Sequence, residues 1–320
     1  MPDGKVAVGV DLGGSNIRAA LVDAKGNRLV FEREEIGPDK KPAVIVSRIA
    51  RIIGRLRDRA SAESLQVAGI GIGVAAQIDT GEQVVVVSPN LGWRDVPIGK
   101  LFQQELGCEA TIINDLEAIA IGETVHGAAR GHSDVLVVFV GTGVGGGLLL
   151  GGRLYRGSSG LAAEIGHVKV RSGRSCGCGQ DGCLEAYLGG ANLARRLEEE
   201  AEKDWPELQE AASGEINPGI LEEMVAAGNR RATALFEELA ALFGRVLANA
   251  VTLLNPSALV LGGTVLDGCP TLRSWSERVL RQQVLWASGE KLQILKAELG
   301  SEAGVVGAAA HVLSGKGVSA

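Results

Sequence analysis

The sequence predicts an α/β fold built as two related halves, and three observations carry that expectation. Apolar, β-branched runs alternate with stretches whose apolar residues recur at helical spacing, the pattern of strands and helices packed in layers. A hairpin with a glycine-rich turn occurs once in each half, around Gly13-Gly14 and again around Gly141-Thr142-Gly143, which suggests a duplicated fold holding a ligand between its lobes. The length of 320 residues exceeds what one hydrophobic core usually serves, so two domains are expected.

The elements follow in order. Val6–Asp11 reads as a strand, Gly13-Gly14-Ser15-Asn16 as a turn and Ile17–Val22 as the returning strand. Lys25-Gly26-Asn27 makes the next turn and Leu29–Ile36 a third strand. Ala43–Ala60 carries Val44, Ile45, Ile49, Ile52, Ile53 and Leu56 at helical spacing, with arginines outside. Gln66–Val74 reads as a strand, Pro97–Glu105 as a helix and Ala110–Ile113 as a strand, after which Asn114-Asp115 opens a helix to about Val125. In the second half, Val135–Val140 and Gly145–Gly151 flank the second glycine turn. Arg195–Glu210 reads as one acidic helix with a solvated face. Ala232–Leu254 has a long apolar stripe and reads as a central helix stopped by Asn255-Pro256. Ala258–Leu261 is a strand running into Gly262-Gly263, and Glu302–Leu313 a small-residue helix that ends the fold.

Hydrophobic residues make up 46 % of the chain but aromatics only 3 %, so the cores must be built from Val, Leu, Ile and Ala. A net charge of −6 with interspersed signs argues against general nucleic-acid binding, which needs a basic footprint. No apolar run reaches the roughly 18 residues that span a bilayer, and the opening residues lack the plan of a signal peptide. A cytoplasmic, thiol-reducing setting is the expectation, with no membrane and no nucleic-acid partner.

The densest chemistry lies between Glu164 and Glu185: Glu164-Ile-Gly-His167, then Cys176-Gly-Cys178 and, after Gly-Gln-Asp-Gly, Cys183-Leu-Glu185. His167, Cys176, Cys178 and Cys183 have the ligand types of a closed, tetrahedral Zn²⁺ centre, and the glycines let the loop turn tightly enough for the sulfurs to converge. Redox chemistry and unmetallated thiols are the alternatives, although Cys-x-Cys differs from the redox Cys-x-x-Cys spacing. Cys108 and Cys269 stand alone and read as core filling. His126, His132 and His311 lack a neighbouring cluster and read as surface or packing residues.

Asp11-Leu12-Gly13-Gly14-Ser15-Asn16 places a carboxylate at a strand end and then exposes backbone amides, a combination suited to phosphate oxygens and to Mg²⁺ held through water. An ordinary hairpin turn is the competing account; the matching loop at Thr142 and Gly143 favours the phosphate reading. Gly141-x-Gly143-x-x-Gly146 also matches a dinucleotide fingerprint, but that motif needs a helix directly after it, whereas a strand is expected here. Asn114-Asp115 sits where a strand ends and a helix begins. A carboxylate there can take the proton of an attacking hydroxyl, or can simply cap the helix. Gly262-Gly263 could lie against an adenine ring, or be only a turn.

Together these residues resemble the ROK family of sugar kinases and repressors, over almost the whole chain. Asp11-Leu-Gly-Gly-Ser-Asn resembles the family's first phosphate loop, with Ser15 where Thr is common, and Gly141-Thr-Gly-Val-Gly-Gly-Gly the second. Leu259-Val-Leu-Gly-Gly is similar to the adenosine segment, and Gly304-Val-Val-Gly-Ala-Ala to the C-terminal helix. The Glu-Ile-Gly-His plus Cys-x-Cys-Gly-x-x-Gly-Cys-x-Glu block is the most specific signature.

The resemblance implies a two-lobed actin-like and hexokinase-like ATPase fold with ribonuclease H-like duplicated domains. One lobe would span residues 1–115, with the helix at about 301–315 returning to it, and the other 116–300 with the zinc loop. It implies Asp115 as general base. Asn90, Asn114, Asp115, Glu164, His167 and Glu185 would contact the sugar; Asp11, Gly13, Gly14, Ser15, Asn16, Thr142, Gly143, Gly262 and Gly263 would contact the nucleotide. His167, Cys176, Cys178 and Cys183 would hold structural Zn²⁺, so His167 would give one ring nitrogen to metal and the other to sugar, its tautomer set by metallation.

The implied activity is transfer of the ATP γ-phosphoryl group, with Mg²⁺, to the 6-hydroxyl of a hexose, glucose foremost, in a homodimeric enzyme of glycolysis. N-Acetylglucosamine or N-acetylmannosamine kinases use the same motifs, and the motifs do not separate ATP from polyphosphate as donor. A sugar-responsive repressor is disfavoured, because the first strand begins at Val6 and leaves no room for a helix-turn-helix before it. The chain departs from the family pattern at Ala75-Ala76, at Leu116-Glu117 and at Ala163, all near the expected sugar pocket.

Overall fold

A computed structural model describes residues 4–212, 214 and 216–315. The chain forms two compact units. The first takes the described residues up to Val135, Gly147–Ala162 and those from Glu298 on; the second takes Leu136–Gly146 and Ala163–Ala297.

The first unit holds β1 (Lys5–Leu12), β2 (Asn16–Asp23), β3 (Arg28–Glu35), α1 (Pro42–Ala62), β4 (Gln66–Val74), β5 (Gln77–Asp79), β6 (Val84–Ser88), β7 (Trp93–Val96), α2 (Ile98–Leu106), β8 (Thr111–Asn114) and α3 (Asp115–Val125). Its main sheet has the order β3-β2-β1-β4-β8, antiparallel among the first three strands and parallel among β1, β4 and β8. The strand period of two sorts side chains between its faces. Val6, Val8, Val10 and Leu12 of β1, with Ile70, Ile72 and Val74 of β4, join Ile45, Ile49, Ile52, Ile53 and Leu56 of α1 in one core. Burying each such side chain contributes about 1.5–3 kcal/mol.

The other face is small by necessity. β4 reads Gly69-Ile-Gly71-Ile-Gly73; Gly69 and Gly71, with Ala7 and Gly9 of β1, receive α12 (Ala303–Leu313), and Gly73 receives α3. A Cβ on Gly9 would lie 2.1 Å from the Val305 carbonyl oxygen, and one on Gly71 2.0 Å from that of Ala308. The same closeness joins α12 to α3, where a Cβ on Gly307 would lie 1.7 Å from the Ala118 carbonyl oxygen. Fully buried Glu123 of α3 accepts backbone N–H bonds from Glu298 at 3.1 Å and Leu299 at 2.9 Å, anchoring the segment that leads into α12. This packing places α3 in the first unit, so the expected break between residues 115 and 116 falls inside that unit rather than at its edge.

Strands β5, β6 and β7, an antiparallel sheet of three, were not expected from the sequence. Each is short, and none alternates cleanly between buried and exposed positions.

The second sheet has the order β11-β10-β9-β12-β13, from β9 (Val135–Val140), β10 (Val144–Leu150), β11 (Arg153–Leu154), β12 (Ala258–Gly262) and β13 (Gln293–Lys296). From Gly147 on, β10 runs in the first unit, where Leu149 and Leu150 pair with Leu154 and Arg153. The second unit's helices are α4 (Glu185–Leu188), α5 (Gly190–Asp204), α6 (Pro206–Ala211), α7 (Gly219–Ala226), α8 (Arg230–Leu254), α9 (Thr264–Gly268), α10 (Pro270–Gln283) and α11 (Trp286–Lys291). Asn229 caps α8, accepting N–H bonds from Arg231 and Ala232 at 3.0 Å each, and Asn255 ends it at φ +48°.

The acidic helix expected over 195–210 is instead two helices. Pro206 has no N–H to continue α5 and begins α6, while Trp205 is buried with the Arg231 guanidinium 4.6 Å over its ring. Its glutamates are not all solvated: Glu200 pairs with Arg196 at 2.7 Å and with Arg231 at 3.3 Å. Among the described residues no helix is long and apolar enough to cross a membrane.

Candidate active site and metal centre

In the first unit, β1, β4 and β8 run parallel and end together, with Leu12 in register with Val74 and Val74 with Asn114. The first glycine loop and Asn114-Asp115 therefore leave the same sheet edge, where ligands of open α/β sheets collect. Gly13 N–H donates to the Asn16 carbonyl at 3.0 Å, closing the hairpin turn. Lys40 donates to the Gly14 carbonyl at 2.9 Å and the Asn90 carbonyl at 2.8 Å, and a Cβ on Gly14 would lie 2.9 Å from that of Asn90. Asn90 thus belongs beside the loop. Ser15 accepts the Ile36 N–H at 2.9 Å, and the Asn16 side chain accepts from Arg33 at 3.0 Å.

Asp11 faces Arg18, its antiparallel partner, with Oδ2 3.1 Å from the guanidinium. Burial pushes the Asp11 carboxyl up, against the opposing pull of Arg18. Arg18 had no sequence signal of its own; the pairing exists because residues 11 and 18 meet across the hairpin.

The helix cap is Asn114, not Asp115. Asn114 is extended (φ −64°, ψ 149°), and its Oδ1 accepts the N–H groups of Leu116 at 2.8 Å and Glu117 at 3.2 Å. Its Nδ2 donates to the Ala76 carbonyl at 2.9 Å, so the side chain implied as a sugar contact is largely occupied in holding backbone. Asp115 is the first residue of α3, and the capping account for it does not apply. Of the departures from the family pattern, Ala75 accepts the Ser88 hydroxyl at 2.7 Å. Glu117 makes a two-pronged pair with Arg156 at 2.7 and 3.1 Å.

In the second unit, β9 and β12 end at the other two glycine segments. A Cβ on Gly263 would lie 2.4 Å from the Val140 carbonyl oxygen, and Gly262 packs on Phe139, so these glycines answer to close packing as well as to any ligand. The sequence missed helix α9, which starts at Thr264, directly after Gly263. The Gly141–Gly143 loop rests on the start of α5: Gly190 N–H donates to the Gly141 carbonyl at 2.8 Å and Ala191 N–H to that of Thr142 at 3.0 Å. A strand follows the loop, as the rejection of a dinucleotide fingerprint requires. Glu185 Oε2 accepts the Val144 N–H at 2.9 Å, and a Cβ on Gly143 would lie 2.4 Å from that oxygen.

Glu164-Ile-Gly-His167 lies against β10, where a Cβ on Gly166 would come within 2.0 Å of the Val144 carbonyl oxygen. Ala163 sits at φ +64°, the left-handed region in which a side chain is strained and glycine is not. Burial raises the Glu164 carboxyl; neighbouring Glu185 adds to this and His167 opposes it.

His167, Cys176, Cys178 and Cys183 bring one donor atom each to within 4.8 Å of one another. The loop that does this is a small antiparallel ladder, with bridges Lys169–Cys183 and Ser175–Asp181 and left-handed glycines Gly179 and Gly182. Cys178 and Cys183 Sγ lie 3.7 Å apart, and so do Cys176 Sγ and His167 Nδ1. Bonds of about 2.3 Å to sulfur and 2.0–2.1 Å to nitrogen in a tetrahedron require roughly 3.8 and 3.5 Å. A disulfide would need about 2.05 Å. The donor set fits zinc.

His167 Nδ1 faces the sulfurs, while Nε2 faces Glu164 at 3.8 Å. Burial pushes the Cys176 thiol up to about 12, so a metal must displace that proton on binding. One member of the cluster was missed from the sequence: Lys169 donates to Cys183 Sγ at 3.0 Å. Cys269 is fully buried as expected, while Cys108 is half-buried beside Arg57.

Fold and site define an α/β protein of the hexokinase-like ATPase class, with a duplicated pair of glycine loops at strand ends and a His-Cys₃ loop. The ROK family model matches residues 7–314, and the chain belongs to the ROK family. A glucokinase of Streptomyces coelicolor is 32 % identical, with 95 % of this chain and 96 % of that protein covered. The ROK hexokinase structure from Thermus thermophilus superposes with a TM-score of 0.81 at 30 % identity, over 95 % and 97 % of the two chains. A ROK family glucokinase from Streptomyces griseus in complex with glucose and AMPPNP gives 0.76 at 34 % identity, over 95 % and 98 %.

Proposed function

We propose that this chain is a hexose kinase that transfers the ATP γ-phosphoryl group to the 6-hydroxyl of a sugar, with glucose the favoured acceptor. The observation that carries this is His167, whose Nδ1 faces three thiols and whose Nε2 faces Glu164. A metal on one side of the ring and a half-buried carboxylate on the other make a rigid acceptor and donor pair suited to sugar hydroxyls. Identity of about a third to a glucokinase solved with glucose and AMPPNP supports the same substrates.

Asp115 would accept the 6-hydroxyl proton as that oxygen attacks phosphorus in line. Glu164, His167, Glu185 and Asn90 would hold the remaining hydroxyls. Backbone amides of the Gly13–Asn16 and Thr142–Gly143 loops would take the phosphates, with Gly262 and Gly263 against the adenine. Mg²⁺ would arrive with ATP and be reached by Asp11 through water. Zn²⁺ on His167, Cys176, Cys178 and Cys183 would supply rigidity, since a filled four-ligand shell leaves no position for Lewis-acid chemistry. A reducing, cytoplasmic setting keeps its thiols available, and a homodimer is part of the proposal.

A coupled assay with ATP or polyphosphate against glucose, mannose, fructose, N-acetylglucosamine and N-acetylmannosamine tests this. ATP with glucose should give the highest kcat/KM. Preference for an N-acetylated sugar would move the chain to the N-acetylhexosamine kinases, and sugar binding without any phosphorylation would overturn the kinase assignment.

A further inference from the structure

We propose that Lys169 is a positioning residue of the metal centre: its ammonium neutralises and tethers the Cys183 thiolate and so slows zinc release. The inference rests on the zinc assignment above and not on the kinase one.

Three thiolates, one neutral imidazole and Zn²⁺ leave a centre with one net negative charge. Such a centre is stabilised by a nearby cation or by N–H donors to sulfur. Lys169 supplies both in one group, with Nζ 3.0 Å from Cys183 Sγ. The contact is not a chance reach of a long side chain, because the backbone fixes it. Lys169 and Cys183 are opposite members of an antiparallel bridge, and on either side Val170 N–H donates to Gly182 at 2.9 Å and Leu184 N–H to Val168 at 2.9 Å. Directly opposed residues of a ladder hold their side chains on the same face.

Among the described residues no carboxylate pairs with Lys169 within 4.0 Å, so the sulfur is its partner rather than one of several. Lys169 is solvent-exposed, which leaves it dispensable for folding and makes it a clean target.

The test uses the full chain purified with zinc. Metal content is measured first, then zinc transfer to a competing chromophoric chelator at fixed pH for the wild type, Lys169→Met, Lys169→Gln and Lys169→Arg. The wild type should hold one zinc per chain. Lys169→Met should lose about tenfold in zinc affinity, the low end for an outer-shell partner. Lys169→Gln should fall between them, keeping a donor without the charge, and Lys169→Arg should match the wild type.

Cobalt substitution adds a readout that a merely structural role would not move: the sulfur-to-cobalt charge-transfer band should shift in Lys169→Met and not in Lys169→Arg. Zinc affinity of Lys169→Met within twofold of wild type, with an unshifted cobalt band, overturns the inference. A wild type that holds no zinc overturns it together with the zinc assignment, and either result leaves the kinase assay free to succeed or fail separately.

Discussion

Replacing Gly143 with alanine adds a single methyl group, and the structure says what that group meets. The new Cβ would lie 2.4 Å from Glu185 Oε2 and 3.3 Å from its Cδ. Ordinary contact begins near 3.4 Å, so the carboxylate must retreat by about 1 Å. Gly143 is not in the left-handed region, so backbone strain adds nothing and the cost is steric.

Retreat breaks the 2.9 Å bond from the Val144 N–H to Oε2. A hydrogen bond to a charged group contributes about 1.5–3 kcal/mol, which for a chain of this size is roughly 2–5 °C in melting temperature. Calorimetry on Gly143→Ala reads the loss directly, and sugar KM should rise about tenfold because Glu185 leaves the place proposed for it. Glu185→Ala alone should cost a similar amount. In the double variant the methyl group has nothing to displace, so Gly143→Ala should cost nothing further. If the two costs simply add, the steric account of the loop is wrong.

Asp115→Asn keeps the start of α3, because the cap belongs to Asn114; turnover should fall by about 10²–10⁴ while sugar affinity measured by titration stays within threefold. A near-normal rate would remove Asp115 from the role of base. Gly307→Ala drives a methyl into the Ala118 carbonyl and should cost about 3 kcal/mol or more in denaturant unfolding. Gly54→Ala, in the middle of α1 with no atom within 4 Å of the added Cβ, should stabilise by about 0.5–1 kcal/mol.

Asp23 accepts N–H bonds from Lys25 and from the backbone and side chain of Asn27, each at 2.9 Å. Burial would raise its carboxyl, but these donors outweigh it and hold the group below the ordinary range. A carboxyl lowered in the folded state stabilises at neutral pH, and that contribution disappears as acid protonates it. Asp23→Ala should therefore cost about 1–2 kcal/mol at pH 7, with the gap to wild type closing as pH falls below the usual carboxylate range; a gap independent of pH would contradict this. Ala163→Gly, which relieves a residue at φ +64°, should leave stability unchanged or raise it by up to about 1 kcal/mol in the same unfolding experiment.

Much of this was legible in the chain. The four candidate metal donors share the seventeen residues from His167 to Cys183, too short a stretch for the loop to keep them far apart once its glycines turn, and they converge as their spacing suggested. The glycine hairpins, α1 and α8 were readable because apolar periodicity is a local signal. The Ile-Gly alternation of β4 was equally local and marks a face made for a helix backbone, though only α12 gives it meaning.

Other features lie outside any local signal. Asn114 and Asp115 are both good caps, and only backbone geometry assigns the cap to the first. Lys169 on Cys183, Arg18 on Asp11, Glu117 on Arg156 and the Val144 amide on Glu185 join residues that register or loop closure brings together.

The sequence by itself determined the α/β class, the duplicated glycine loops and the composition of the candidate metal centre, because turn chemistry, side-chain period and ligand type act over a few residues. Tertiary structure alone decided that Asn114 caps α3 and leaves the Asp115 carboxylate at the start of the helix, and which cation reaches Cys183. It also decided where a glycine has no room for a methyl group, because those outcomes depend on distances between chain segments that no local preference sets.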